Sequence, residues 1–210
     1  EEAVTSSSQQ TSIFRGKYTL QSLISDRYIP KTFQEIVGQG LITQALSNSL
    51  TRGRLAKLYV FYGPRGVGKT SCARVFAMAL NCISVDKTRP CGSCRQCLIA
   101  QKLGKACAFM ELSTNRMGSA KGIKQLFHEI SKPVPLNYRV IFANECHMLS
   151  SQSWDALMKV VENAPRNIVF ILSTSSLERL PHSVTSSGHQ KFIFSKIKES
   201  EILNRLKMIA

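Results

Sequence analysis

The sharpest chemical signal in this 210-residue chain lies in eight consecutive residues, Gly63-Pro64-Arg65-Gly66-Val67-Gly68-Lys69-Thr70. Glycines at these places let successive backbone N–H groups close around an anion without Cβ clashes. A helix beginning at Ser71 would add the positive end of its dipole. Lys69 would reach the outer phosphates of a nucleotide, and Thr70 would offer a hydroxyl to Mg²⁺. The G-x-x-x-x-G-K-[ST] pattern means this only between a strand and a helix. Here the apolar run Leu58–Tyr62 precedes it and helical periodicity over 71–80 follows, so the pattern reads as a phosphate loop. The alternative, a glycine-rich turn that merely joins strand to helix, would need all eight positions to coincide.

A second constellation is Cys82, Cys91, Cys94 and Cys97, separated by eight, two and two residues. A C-x-x-C pair offers two thiolates from one tight turn, which Pro90 and Gly92 favour. Four thiolates fill the tetrahedral shell of Zn²⁺, so the site would be structural rather than catalytic. Lys87, Arg89 and Arg95 would offset its charge. Reduced cysteines in a plain loop are the other reading. The chain has seven cysteines, an odd number, and no signal-peptide pattern, which argues against a disulfide framework. Cys72, Cys107 and Cys146 fall on helix or strand patterns and read as small buried hydrophobes.

These groups need a scaffold, and the apolar periodicity supplies one. Helices are expected at 41–52, 71–80, 120–131, 151–162 and from about 199, with strands at 58–62, 108–112, 139–143 and 168–173. Strands that are apolar throughout, alternating with helices of ten or more residues, predict an α/β doubly wound domain: a parallel sheet with helices on both faces. Residues 1–19 are polar, Ser/Thr/Gln-rich and aperiodic, and are expected to be a disordered leader before a domain over 20–210 that carries the cysteine insert at 82–97. Because the chain opens at Glu1 and stops at Ala210 inside an amphipathic stretch, a segment of a longer protein is expected.

Composition narrows the classes further. Hydrophobic residues make up 43% of the chain, enough for a core, yet apolar runs reach only about five residues, too short to span a membrane. An intracellular location, nucleus or cytoplasm, is expected rather than secretion. The net charge of +15 points to anionic partners. Arg52–Lys105 alone holds eleven basic residues against the acid Asp86, a net of +10. A nucleic-acid surface is one reading of this, but Phe76 is the sole aromatic between Gly63 and Lys105, so base stacking is unsupported and a solvated basic face explains the charge as well.

A cysteine insert directly after the first helix of a P-loop domain is unusual. Leu80-Asn81-Cys82 followed by Pro90-Cys91-Gly92-x-Cys94-x-x-Cys97 resembles the gamma/tau subunits of the bacterial clamp loader, an AAA+ family. Arg27-Tyr28-x-Pro30-Lys31-Thr32-Phe33-x-Glu35-Ile36-Val37-Gly38-Gln39 is similar to that family's adenine-side segment. Glu145-x-His147-Met148-Leu149-Ser150 is similar to its Walker B region. Tyr59-Val60-Phe61-Tyr62-Gly63-Pro64 and Ser71-Cys72-Ala73-Arg74 look closer to the plant STICHEL-like proteins, long chains that carry a gamma/tau-like domain and are associated with trichome branching.

The resemblance implies an ATP site made by Arg27, Tyr28, Val37, Gly63 to Ser71 and a sensor hydroxyl on Thr174. It also implies catalytic roles for Lys69 and for Glu145 as general base, magnesium at Thr70 and position 144, and zinc on the four cysteines. It further implies lid and collar domains beyond Ala210, partner AAA+ subunits in a hetero-oligomer, and DNA or a sliding clamp as targets. Two departures weaken the hydrolytic part. The family's Mg²⁺-holding Asp is Asn144 here, which keeps an oxygen but loses the charge. The family's Ser-Arg-Cys motif, whose arginine enters a neighbour's ATP site, is replaced around Ser186-Ser187-Gly188-His189-Gln190, and no arginine stands between Arg179 and Arg205. An arginine finger is worth about 10³–10⁵ in rate, and neither His189 nor Lys191 has its planar fork. The expectation is an ATP-binding switch with weak intrinsic hydrolysis or, in the alternative, a nucleotide- and zinc-holding scaffold without significant ATPase activity.

Overall fold

The computed structural model describes residues 28–84, 88–102, 108–112, 120–133, 136–186 and 189–209. The expected leader, Arg27, Lys87, Cys107, Ser187 and Gly188 lie outside them. A short 3-10 turn at Phe33–Glu35 leads into α1 (Gly40–Thr51), followed by β1 (Leu58–Tyr62), α2 (Lys69–Asn81), α3 (Arg95–Lys102), β2 (Phe109–Leu112) and α4 (Ala120–Ile130). Next come β3 (Arg139–Ala143), a 3-10 turn at Cys146–Met148, α5 (Ser151–Asn163), β4 (Ile168–Thr174), α6 (His182–Ser186), β5 (Gln190–Ile193) and α7 (Glu199–Ile209). The five strands form one sheet in the order β2-β3-β4-β1-β5, every neighbouring pair parallel.

Alternation along each strand divides the core into two layers. Tyr59 and Phe61 of β1, with Val169 and Ile171 of β4, pack with Ile42 and Leu46 of α1 and Phe76 of α2. Leu58 and Val60, with Ile168, Phe170 and Leu172, face Ile123 and Leu126 of α4 and Trp154 and Leu157 of α5. Every residue of β3 and β4 is buried, as a parallel sheet covered on both sides requires.

Local chemistry fixes the ends. At the close of α1, Gly53 takes φ 62°, its N–H donates to Leu50 O and that of Arg54 to Ser49 O, the paired bonds of a Schellman cap. Ser150 caps α5, its Oγ accepting from Ser153 N. The buried Asn81 at the end of α2 donates to Ala77 O and Tyr138 O and accepts from Tyr138 N, tying α2 to the approach of β3. The helices and strands lie close to the expected bounds, with two additions. Cys97 belongs to a helix, α3, and the stretch between β4 and the last helix, for which no element is expected above, contains α6 and the edge strand β5. The short exposed pattern of β5 gives little periodicity to read.

Candidate nucleotide site and cysteine centre

The P-loop occupies the turn between β1 and α2, at the carboxyl ends of the parallel strands, where open α/β sheets place their ligands. Gly63 cannot carry a side chain: a Cβ there would lie 2.5 Å from Phe194 O, because Phe194 N donates to Tyr62 O and brings the chain after β5 against the loop. Gly66 and Gly68 take φ 81° and 94°, the left-handed region that glycine enters freely. Gly68 caps α2 without any side-chain acceptor, so the first N–H groups of the helix have no side-chain partner there. Buried Lys69 donates from Nζ to the carbonyls of Gly63 and Pro64, both at 2.6 Å. Burial pushes its pKa below the ordinary lysine value, while the nearby Glu145 charge pulls it back up.

A cavity of about 530 Å³ opens over this loop, lined by Arg65, Gly66, Gly68, Lys69, Thr70, Ser71, Asn144 and Glu145. The last two stand on the facing wall, where β3 ends. Asn144 N donates to Leu112 O, extending the β2–β3 ladder by one residue. Glu145 Oε1 accepts from Arg65 Nε at 3.1 Å. Its Oε2 accepts from Ser175 Oγ at 3.2 Å and lies 3.3 Å from His147 Nδ1. His147 Nδ1 is also 3.2 Å from Thr174 Oγ1, which donates to Ser176 O. Thr174 thus reaches the cavity wall through His147 and is absent from the cavity lining.

The residues fit a phosphate chain with a divalent ion in part. The uncapped helix start and Lys69 suit a phosphate anion, while Thr70 and Asn144, the two lining residues expected to serve Mg²⁺, offer only a hydroxyl and an amide oxygen. Glu145 is the sole carboxylate in the lining. A divalent ion would depend chiefly on the nucleotide's own phosphates.

Sequence reasoning missed the residue that braces the loop. Buried Gln39 donates from Nε2 to Val67 O at 3.3 Å and Ser195 O at 2.8 Å, and its Oε1 accepts from Ser195 N. Its only signal was its place at the end of the adenine-side segment. Of the other residues in that segment, Val37 is half-buried and Tyr28 donates to Ile209 O at the end of α7. Neither lines the cavity.

The sulfur atoms of Cys82, Cys91, Cys94 and Cys97 all lie within 4.8 Å of one another. Zn–S bonds of about 2.3 Å at tetrahedral angles set thiolates about 3.8 Å apart, so a zinc ion fits this cluster. Backbone amides already point at three of the sulfurs: Cys91 N donates to Cys82 Sγ, Cys94 N to Cys91 Sγ and Cys97 N to Cys94 Sγ. The N–H groups of Ser93 and Cys94 hold the Cys91 thiol down at about 6, favouring the thiolate that a metal binds, while burial pushes the Cys97 thiol up. Cys72 and Cys146 are buried with thiols pushed up to about 12 by burial, in keeping with their reading as hydrophobes. The basic stretch divides: Arg65 and Lys69 line the P-loop cavity, while Arg52 and Arg54 line a second cavity of about 450 Å³ with Lys191. Among the described residues no helix is long and apolar enough to cross a membrane.

Residues 38–197 match the model of the family described as DNA polymerase III, delta subunit. The chain belongs to that family. It is similar to Protein STICHEL-like 3 of Arabidopsis thaliana, 44% identical over 93% of this chain, and to Protein STICHEL, 40% identical over 89%. It is also similar to the DNA polymerase III subunit tau/gamma of Haemophilus influenzae, 35% identical over 89% of the chain. The resemblance to clamp-loader gamma/tau subunits and STICHEL-like proteins therefore stands. The chain spans 18% and 15% of those plant relatives and 27% of the bacterial one. Among solved structures, the RuvB Holliday junction branch migration motor of Thermotoga maritima superposes with TM-score 0.59 at 16% identity, covering 86% of this chain and 53% of that one. The fold is a P-loop AAA+ domain, and the chain is a clamp-loader-like member of that class.

Proposed function

We propose that this domain binds ATP with Mg²⁺ over the P-loop and works as a nucleotide-dependent switch within a multi-subunit assembly, with zinc on the four cysteines as a structural brace. The observation that carries the reading is the meeting of the buried Lys69 ammonium and the uncapped start of α2 in one cavity that faces Asn144 and Glu145. Gly63 to Ser71 would hold the phosphates, Thr70 and Asn144 the magnesium. Lys69 would stabilise charge on the outer phosphates, Glu145 would accept a proton from water, and Thr174 would sense the terminal phosphate through His147. Arg27, Tyr28 and Val37 would serve the adenine side.

Bound Mg²⁺ would supply charge neutralisation on the phosphates, and Asn144 in place of a carboxylate lowers the affinity for it. That substitution also favours the second reading, a nucleotide- and zinc-holding scaffold for protein partners with no significant turnover. In the switch reading an arginine from another protein completes the site, and other AAA+ subunits are the partners, with DNA or a sliding clamp as target. The setting is intracellular, in nucleus or cytoplasm. The process is DNA replication, by likeness to the polymerase III subunits, or plant cell morphogenesis, by likeness to the STICHEL proteins.

Equilibrium dialysis with ATP and Mg²⁺ tests the binding: one nucleotide per chain is expected, lost in Lys69→Ala. Adding candidate partner subunits and following ATP hydrolysis separates switch from scaffold, since only the switch gains turnover.

A further inference from the structure

Glu145 does not sit loosely in the cavity. Its backbone φ of 48° is the only positive value at a non-glycine position among the described residues, a conformation that persists only where the surroundings hold it. The holding groups converge on one carboxylate: Arg65 Nε on Oε1, with Ser175 Oγ and His147 Nδ1 on Oε2. Each carboxylate oxygen thus already accepts one hydrogen bond, which holds Glu145 in place and competes with a water for it. Arg65 belongs to the P-loop itself, 80 positions away in the chain. The two meet across the carboxyl ends of β1 and β3, which flank β4 in the sheet.

Arg65 is the solvent-facing partner of this pair, with its side chain 80% exposed against 18% for Glu145. It stands in the loop where a phosphate chain would lie, and a phosphate offers the planar guanidinium fork two anionic oxygens that compete with a carboxylate. Glu145 and the phosphate therefore bid for one cation.

We propose that Arg65 is a nucleotide-displaced latch, a positioning residue that parks Glu145 until a phosphate takes the guanidinium and frees the carboxylate. The proposal rests on the nucleotide reading above and adds regulation to the same site: occupancy of the loop and release of the base become one event, before any partner arrives.

A double-mutant cycle on ATP–Mg²⁺ affinity in the 210-residue chain tests it. Glu145→Gln removes repulsion between a carboxylate and phosphate in any background, but it releases a guanidinium only where Arg65 is present. The tightening it causes should exceed that seen in an Arg65→Ala background by about two- to fivefold, the worth of an exposed ion pair. Arg65→Gln serves as a second background that keeps a polar side chain, and the same excess is expected there. Equal tightening in all backgrounds would overturn the latch while leaving the nucleotide site standing. Absence of binding in every variant would overturn the nucleotide reading and the latch with it.

Discussion

The two walls of the central cavity are built by different means. The P-loop wall is local: nine consecutive residues, Gly63 to Ser71, set by glycine conformations and the start of one helix. The facing wall is Asn144 and Glu145 at the end of β3, and behind it Glu145, His147, Thr174 and Ser175 from the ends of β3 and β4 meet through side-chain contacts. There the charge expected for a metal is missing and the remaining carboxylate is already engaged. In the function proposed above, grip and turnover are therefore separable, and variants of each wall should show it.

The largest effect lies outside both walls. Elemental analysis should give one zinc per chain, and Cys94→Ser should abolish it and lower Tm by about 10 °C, because a structural metal contributes its binding energy to folding. Nucleotide affinity of the surviving folded fraction should barely move, and a strong loss there would mean the insert shapes the P-loop. Next, Lys69→Ala should weaken ATP about 100-fold, the scale of a lost charge-assisted contact in a buried site, with Tm near wild type.

On the facing wall, Asn144→Asp should lower the Mg²⁺ concentration that half-saturates nucleotide binding by about tenfold, since a carboxylate replaces an amide at the ion. No change in that midpoint would remove Asn144 from the metal's surroundings. The smallest effect concerns pH. Burial holds the Lys69 pKa below the ordinary lysine value, so its ammonium deprotonates in the free protein before an exposed lysine would. ATP affinity should hold at neutral pH and decline as pH rises through that depressed value, whereas Lys69→Arg should show a flatter alkaline profile. Folding stability moves the other way, rising over the interval between the depressed and ordinary values as the buried charge is relieved.

How much of this was legible beforehand follows from the same contrast. The P-loop and the C-x-x-C spacing could be read because each is a short run whose chemistry depends on near neighbours, and β1 and β3 have the expected bounds because their apolar runs are continuous. The Arg65–Glu145 pair joins groups 80 positions apart and leaves no local trace. Gln39 braces the loop from another element, and β5 exposes most of its residues, so no alternation marks it. Thr174 was placed at the γ-phosphate by family likeness, yet the route from it to the cavity runs through His147, which strand order alone could not supply.

The most direct test of the central claim is isothermal calorimetry of the 210-residue chain with ATP and Mg²⁺, followed past saturation. The account predicts a binding isotherm of one nucleotide per chain that returns to a flat baseline, so that grip is present and turnover is slow. An absence of binding heat, or a sustained exothermic power after saturation, would contradict it.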